Sequence, residues 1–441
     1  MLSILFLPLI LMCLFNLIQD FRRNKNSLGL HFLNFTFLYV YGLGGFYSVY
    51  DYEKNVFLYS NFYREDFYIF LSALMLTLSY LISYKSYFMF KKINLNIGGN
   101  FFDIKTLTIA SNISLILCGL FIYIYISQYG GLYRALESAA AIRSGYGELE
   151  DGAKLTFVKY LMPIGVFPFL LYGYKVSTSP KILNILLWVI SFLLVFLAFI
   201  LMSGRTRIVI YILAMVIIFI YSKKTIKINK IFKYIPLFFI VSLFIMYGKT
   251  IFSSLGSILN GESIQNIIYE SDKNETFLGS ILGYFSHRTY AVEAALKNFN
   301  ETHSLYWFKD NFLSIFYLIP ERLTGIVKPD SISPYNTEVL TGIYEATIPP
   351  GILAYGIYSL WIPGLIIVAI MYSSIFGLVD SYFQKYLSEK HLLIILLPII
   401  VVWGLYGSTG DFKIIINSFS YIMLFMMIFI LIKTIFWTIK K

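Results

Sequence analysis

The chain has 441 residues, of which 58% are hydrophobic, 19% aromatic and 13% charged, with a mean hydropathy of +0.72. Soluble domains carry roughly 25% charged residues, so this composition excludes a water-covered globule and makes lipid the outer solvent. The net charge of +11 is mostly lysine carried in loops, so it reports topology and argues for no nucleic-acid partner. Cys13 and Cys118 both fall in apolar runs and suggest neither a disulfide nor a metal framework.

Apolar runs long enough to cross a bilayer, about 20 residues each, predict about eleven spans. In chain order they are 2–18, 29–50, 67–83, 106–127, 155–174, 182–202, 208–221, 234–252, 356–378, 391–406 and 414–436. The first lacks the basic start and small-residue cleavage site of a signal peptide and is read as a helix. Alternate loops are lysine-rich: Arg22, Arg23 and Lys25; Lys85, Lys91 and Lys92; Lys175 and Lys181. Lys223, Lys224, Lys227, Lys230 and Lys233 follow, then Lys385 and Lys390, and finally Lys440 and Lys441. All fall on one side when the N-terminus is outside and the C-terminus inside, and the positive-inside rule makes that side cytoplasmic. The expected architecture is an all-α polytopic protein of the cytoplasmic membrane, a single transmembrane domain over 1–441. Two long external loops interrupt it, at 128–154 and 253–355, the second with amphipathic stretches such as 276–297 and 311–319. Loops of that length are uncommon without a function.

Arginine does not follow lysine. Seven of nine arginines, Arg64, Arg134, Arg143, Arg205, Arg207, Arg288 and Arg322, are expected outside, with about 20 of the 24 acidic residues. Membrane insertion treats the two cations alike, so external arginine calls for another cause, and recognition of an anion by a planar, permanently charged fork supplies one.

Four constellations stand out. Ser203-Gly204-Arg205-Thr206-Arg207 is wedged between two spans, which puts two arginines at the outer interface or in a cavity at the helix ends; plain snorkelling at headgroup level is the bland alternative. Leu132 to Ile142 has helical spacing, with Arg134, Glu137 and Arg143 on its polar face; an intrahelical pair there is worth only tenths of a kcal/mol. Ser286-His287-Arg288-Thr289, with Glu293 beyond it, places a histidine beside an arginine, which suits proton transfer next to a bound phosphate. Glu345 leads into Ile348-Pro349-Pro350-Gly351, a segment able to seat the external end of a helix, which continues through Ala354, Gly356, Gly364 and Gly377 with room for close packing. His31 and His391 start spans on the inner side and read as structural, and Asp103 and Asp380 read as solvated cytoplasmic carboxylates. No motif calls for a metal or a cofactor.

These features together resemble the Wzy-type O-antigen or oligosaccharide repeat-unit polymerases. The resemblance is carried by the layout of spans and two long external loops, by Gly130-Gly131-Leu132 with the arginine helix after it, and by Ser203 to Arg207 at a span junction. The Pro349-Pro350-Gly351 segment adds to it, and Arg134 to Gly145 fits the Arg-x10-Gly pattern of a periplasmic loop in that family. Neither Arg288 nor Arg322 has a second copy of that pattern. The resemblance implies a GT-C-like glycosyltransferase acting at the outer face, toward periplasm or exterior. It would transfer a growing glycan from undecaprenyl diphosphate to a lipid-linked repeat unit, with a chain-length regulator as a partner. Arg205, Arg207, Arg134, Arg143 and Arg288 would hold diphosphate or substrate, and His287, Glu345 or Glu293 would serve as the base. The external tyrosines Tyr290, Tyr306, Tyr335 and Tyr344 suit either sugar stacking or an aromatic belt. A flippase or other transporter is the rival reading from another class, and an O-antigen ligase shares the same architecture.

Overall fold

The computed structural model describes residues 2–22, 27–53, 64–93, 101–144, 157–202, 205–222, 277–314, 316, 330–342, 344, 348–386 and 389–440. The described residues are all-helical. The helices are α1 (Leu7–Arg22), α2 (Leu28–Thr36), α3 (Gly44–Glu53), α4 (Asp66–Lys91), α5 (Ile104–Gln128), α6 (Leu132–Ser144), α7 (Val158–Leu161) and α8 (Val166–Thr178). They continue as α9 (Ile182–Leu201), α10 (Arg205–Ser222), α11 (Phe277–Thr302), α12 (Lys309–Leu313), α13 (Ile332–Thr341), α14 (Ile352–Lys385), α15 (Leu393–Tyr406) and α16 (Phe412–Lys440).

Among the described residues seven segments are long and apolar enough to cross a membrane: Leu2–Asp20, Asp66–Lys91, Ile104–Gln128, Ile182–Leu201, Ile352–Lys385, Lys390–Thr409 and Phe412–Thr438. This is the make-up of a multi-pass membrane protein. The expected span 29–50 is an interrupted helix, α2 passing through a π-helical stretch at Phe37–Leu43 into α3. The expected span 155–174 is likewise broken, α7 and α8 being separated by a 3-10 turn that contains Pro163. The expected span 208–221 lies within α10, and 234–252 lies outside the described residues.

Two compact units divide the chain. The first comprises Met1–Ile97, Thr276–Leu387 and Ile400–Ser418. In it α4 and α14 run parallel in register, Ser83 bonding Ala369 and Ser381 bonding Ile93 through their backbone carbonyls at 3.1 and 2.6 Å. At their C-terminal end Asp380 is fully buried, which corrects the expectation of a solvated carboxylate. The reason is a cap made from a distance. Asp380 accepts hydrogen bonds from the amides of Gly29 (2.9 Å) and Leu30 (3.1 Å), the first turn of α2, and from the Tyr87 hydroxyl (2.6 Å). Otherwise those first-turn amides would lack partners. Lys91 reaches Ser27 at 2.7 Å beside it, so the ends of α2, α4 and α14 that adjoin three of the lysine-rich loops gather in one place.

α14 is not one continuous rod. Leu360 (φ −145°, ψ 26°) and Trp361 (φ 53°, ψ −133°) break it, leaving an eight-residue half-helix, Ile352–Ser359, folded against the long arm that follows. A Cβ on Gly356 would lie 2.6 Å from the Gly364 carbonyl oxygen, so only paired glycines let the two arms touch. The carbonyls freed at the break accept from the amides of Tyr306 (2.8 Å, to Tyr358) and Trp307 (3.1 Å, to Ser359).

The second unit comprises Gly98–Glu275, Ser388–Ile399 and Phe419–Lys441. Its helices α5, α8, α9 and α10 pack around aromatic contacts, Phe167 stacking on Phe425 at 3.6 Å and Phe199 on Tyr211 at 5.3 Å. Cys118 is buried against Gly165, and Cys13 is buried in the first unit. Asp103 caps α5 through the Thr106 amide (2.8 Å) and pairs with Lys433 at 2.5 Å, a partly exposed contact rather than a free loop carboxylate. His391 contacts the Phe102 carbonyl at 2.6 Å.

Candidate functional site

In the first unit Arg288 and the Pro349-Pro350-Gly351 segment, both singled out in the sequence, meet at the start of α14. α11 carries Ser286 to Thr289, with Ser286, Arg288 and Thr289 buried and Arg288 only 4% exposed. Its Nη1 donates to the Ser408 hydroxyl at 2.7 Å, its guanidinium lies 5.9 Å from the Phe285 ring, and its Nε has no hydrogen-bond partner. Among the described residues no carboxylate stands within ion-pair distance of it. A buried cation without a counter-ion costs several kcal/mol, a cost that an arriving anion would offset.

The surroundings share the sign. The Gly351 Cα packs on the Arg288 stem, a Cβ there falling 3.2 Å from Arg288 Cβ and 3.2 Å from the Tyr41 hydroxyl. Gly351 (φ +85°) precedes Ile352, whose amide, with that of Leu353, faces the Tyr41 oxygen. The free amides and dipole of a helix start favour negative charge. The turn after α15 completes the wall. The Gly351 amide donates to the Thr409 carbonyl at 2.7 Å, and Gly410 (φ +70°) has no room for a Cβ, which would meet the Gly351 oxygen at 2.5 Å. Thus the Pro-Pro-Gly segment and the Ser-His-Arg-Thr segment, more than sixty residues apart, meet as neighbours.

The other expected residues behave differently. His287 is half-buried, and burial first, then the Arg288 charge, pull its pKa below the ordinary imidazole range; it is therefore neutral at pH 7. Glu293 is buried and engaged by Arg64 in a bidentate pair (2.7 and 2.5 Å). Burial pushes the Glu293 carboxyl up and Arg64 pulls it back down. Arg64 also donates to the Ser48 carbonyl (2.8 Å) and lies 4.3 Å over the Tyr290 ring. Glu293 and Arg64 are thus occupied by each other, and neither is positioned as a free base or anion site. Glu345 and Arg322 lie outside the described residues.

In the second unit Arg134 is exposed on α6. Arg207 opens α10, half-buried, with Nη1 3.2 Å from Met202 Sδ. One residue beyond it Ile208 joins Phe169, Phe192, Phe196, Phe199 and Tyr211 around a narrow, mostly apolar cleft. Arg143 and Arg205 lie on α6 and α10, and their side chains are outside the described set.

A second pair of buried carboxylates was not singled out in the sequence. Asp310 accepts from the Tyr306 hydroxyl (2.6 Å) and the Ile332 amide (2.7 Å). Asp411 accepts from the hydroxyls of Ser331 (2.9 Å) and Ser333, and from the Ile414 amide (3.1 Å). Burial first, and Asp411 further down, push Asp310 up to about 6. The legible signal was Ser408-Thr409-Gly410-Asp411, a small polar run between two apolar spans. Compared with known proteins, the chain matches no family model, no curated protein and no solved structure.

Proposed function

We propose that the protein is a membrane glycan polymerase, a GT-C-like glycosyltransferase with its N-terminus outside and its C-terminus cytoplasmic. It would transfer a growing glycan from undecaprenyl diphosphate to a lipid-linked repeat unit on the outer face. The observation that carries the reading is Arg288, a buried guanidinium with no counter-ion among the described residues, set against the amides that open α14. A diphosphate leaving group meets that need, since negative charge grows on it as the glycosidic bond breaks. In the transfer an acceptor hydroxyl oxygen bonds the anomeric carbon, the bond from that carbon to the diphosphate oxygen breaks, and the hydroxyl proton passes to a base. We assign that base to His287, neutral beside Arg288; Glu345 is the alternative, while Glu293 is engaged by Arg64. Arg205 and Arg207 on α10, and Arg134 and Arg143 on α6, are assigned lipid-phosphate or substrate contacts.

The test is Arg288→Ala and Arg288→Lys, scored by polymer length in cells at matched membrane levels. Single repeat units without long polymer support the reading. A second reading has its own observation: the break at Leu360 and Trp361 is the kind of discontinuous helix that transporters use at substrate sites. On that reading the same anionic lipid is translocated and not polymerised, and purified protein in vesicles moves it without lengthening its glycan.

A further inference from the structure

Resting on the polymerase reading, we propose that Trp307, with the stacked rings of Tyr306 and Tyr335, forms a subsite for the glycan chain at the far end of the half-helix from Arg288. Trp307 is 65% exposed, and its indole makes no hydrogen bond or ring contact with any described residue. Tyr306 and Tyr335 stack at 6.0 Å, and Tyr335 meets Tyr358 edge-on at 5.4 Å. Their polar edges carry the chemistry a sugar needs. Asn298 donates to the Tyr335 hydroxyl at 2.9 Å, Ser304 lies 3.3 Å from that hydroxyl, and Thr302 and Ser304 touch at 2.8 Å. Tyr344 donates to Asp330 at 3.0 Å on the same side, and Thr302, Ser304, Asp330 and Tyr344 are all exposed.

A saccharide presents an apolar C–H face and a rim of hydroxyls, and it matches flat rings bordered by amide, hydroxyl and carboxylate groups. Acyl chains do not, because the exposed Asp330 carboxylate would have to leave water. The backbone adds an independent observation. His303 (φ 52°), Trp307 (φ 57°), Phe308 (φ 51°) and Trp361 (φ 53°) are the non-glycine residues with left-handed backbone among those described, and they converge. The Trp307 amide bonds Ser359 at the break, and Trp361 stacks at 4.5 Å on Phe299, which also contacts His303 at 5.7 Å. Strain of this kind persists where the surroundings over-determine it and clusters at ligand clamps. The half-helix between the break and Gly351 has eight residues and is therefore about 12 Å long. The subsite thus receives sugars of the chain beyond the reacting one.

The experiment is hydroxyl-radical footprinting of the wild-type, full-length protein in lipid vesicles, reading oxidation of the Trp307 peptide by mass spectrometry. The probe is the soluble oligosaccharide released by mild acid from the source cell's own surface polysaccharide. Several-fold protection of Trp307 that rises and saturates with oligosaccharide concentration is expected, with protection weakened in Tyr335→Ala and retained in Tyr335→Phe. Three results overturn the proposal: oxidation unchanged by oligosaccharide, protection already complete in vesicles without it (Trp307 seated in lipid), or protection indifferent to both Tyr335 variants. This outcome separates from the polymerase reading. Unprotected Trp307 with polymer abolished by Arg288→Ala sinks only the subsite, whereas protected Trp307 with polymer intact in Arg288→Ala sinks only the enzyme.

Discussion

Arg64 and Arg288 are both buried arginines of the same unit, and their surroundings assign them opposite roles. Arg64 is neutralised by Glu293 and by the Ser48 carbonyl, so removing either partner leaves an uncompensated buried charge. Arg64→Ala is expected to lower stability by about 3–5 kcal/mol, and the double change Arg64→Met with Glu293→Leu to recover much of that loss. Thermal unfolding in detergent reads both. Among the described residues Arg288 has no such carboxylate partner, so Arg288→Met is expected to leave the melting temperature equal or higher while polymer is lost, the sign of a residue kept for function at the expense of stability. Asp310 makes a separate pH prediction. Its folded pKa of about 6 stands above the ordinary 3.8. Between those values the unfolded chain holds fewer protons than the folded one, so stability falls as pH rises from about 4 to about 6 and is level above. The full difference corresponds to roughly 3 kcal/mol. Asp310→Asn removes that slope, measurable as unfolding midpoints between pH 4 and 7.

Elements position these residues through backbone contacts that a Cβ would block. Gly351 and Gly410 pass within van der Waals range with positive φ at both, which ties the start of α14 to the turn that holds Arg288. Gly410→Ala is expected to push that turn away, costing about 1 kcal/mol or more from backbone strain alone and abolishing polymer before it abolishes membrane insertion. At the other end of α14 the fold depends on Asp380. Asp380→Ala leaves the Gly29 and Leu30 amides and the Tyr87 hydroxyl without their acceptor, at about 1–3 kcal/mol for each buried group. Loss of the protein from membranes, restored in part by Asp380→Asn, is the expected outcome, read by immunoblot of membrane fractions. The half-helix of α14 has the buried Arg288 guanidinium at its amide end, where the anion site is proposed, and a platform of rings at its carbonyl end. Its break at Leu360 and Trp361 was hidden in the sequence because the expected span 356–378 reads as one continuous apolar run.

Among the described residues hydropathy located seven long apolar helices, since length and apolar composition are local properties, although α4 and α14 run on to Lys91 and Lys385, past the expected ends at 83 and 378. Residues 28–53 and 158–178 resisted that reading: they are apolar enough to look continuous, yet a π-helical stretch and a proline-bearing 3-10 turn interrupt them. The sequence singled out Arg288 because a histidine–arginine pair in an expected external loop is unusual chemistry. Its partners Ser408, Tyr41 and Gly351 were not legible as partners, because nothing local in a sequence says that positions 41, 288, 351 and 408 meet. Asp380 was misjudged for the same reason, its ligands lying some 350 positions away. The topology makes its own prediction. With Cys13 and Cys118 buried, a cysteine at Glu301 is expected to react with a membrane-impermeant maleimide on intact cells, and one at Lys92 only after permeabilisation. The reverse pattern would invert the orientation. The most direct test of the central claim is polymer length in cells carrying Arg288→Ala or Arg288→Lys, at membrane levels matched to wild type. Single repeat units are expected with Ala and shortened polymer with Lys, which keeps the charge but not the fork. Full-length polymer from Arg288→Ala would contradict that claim.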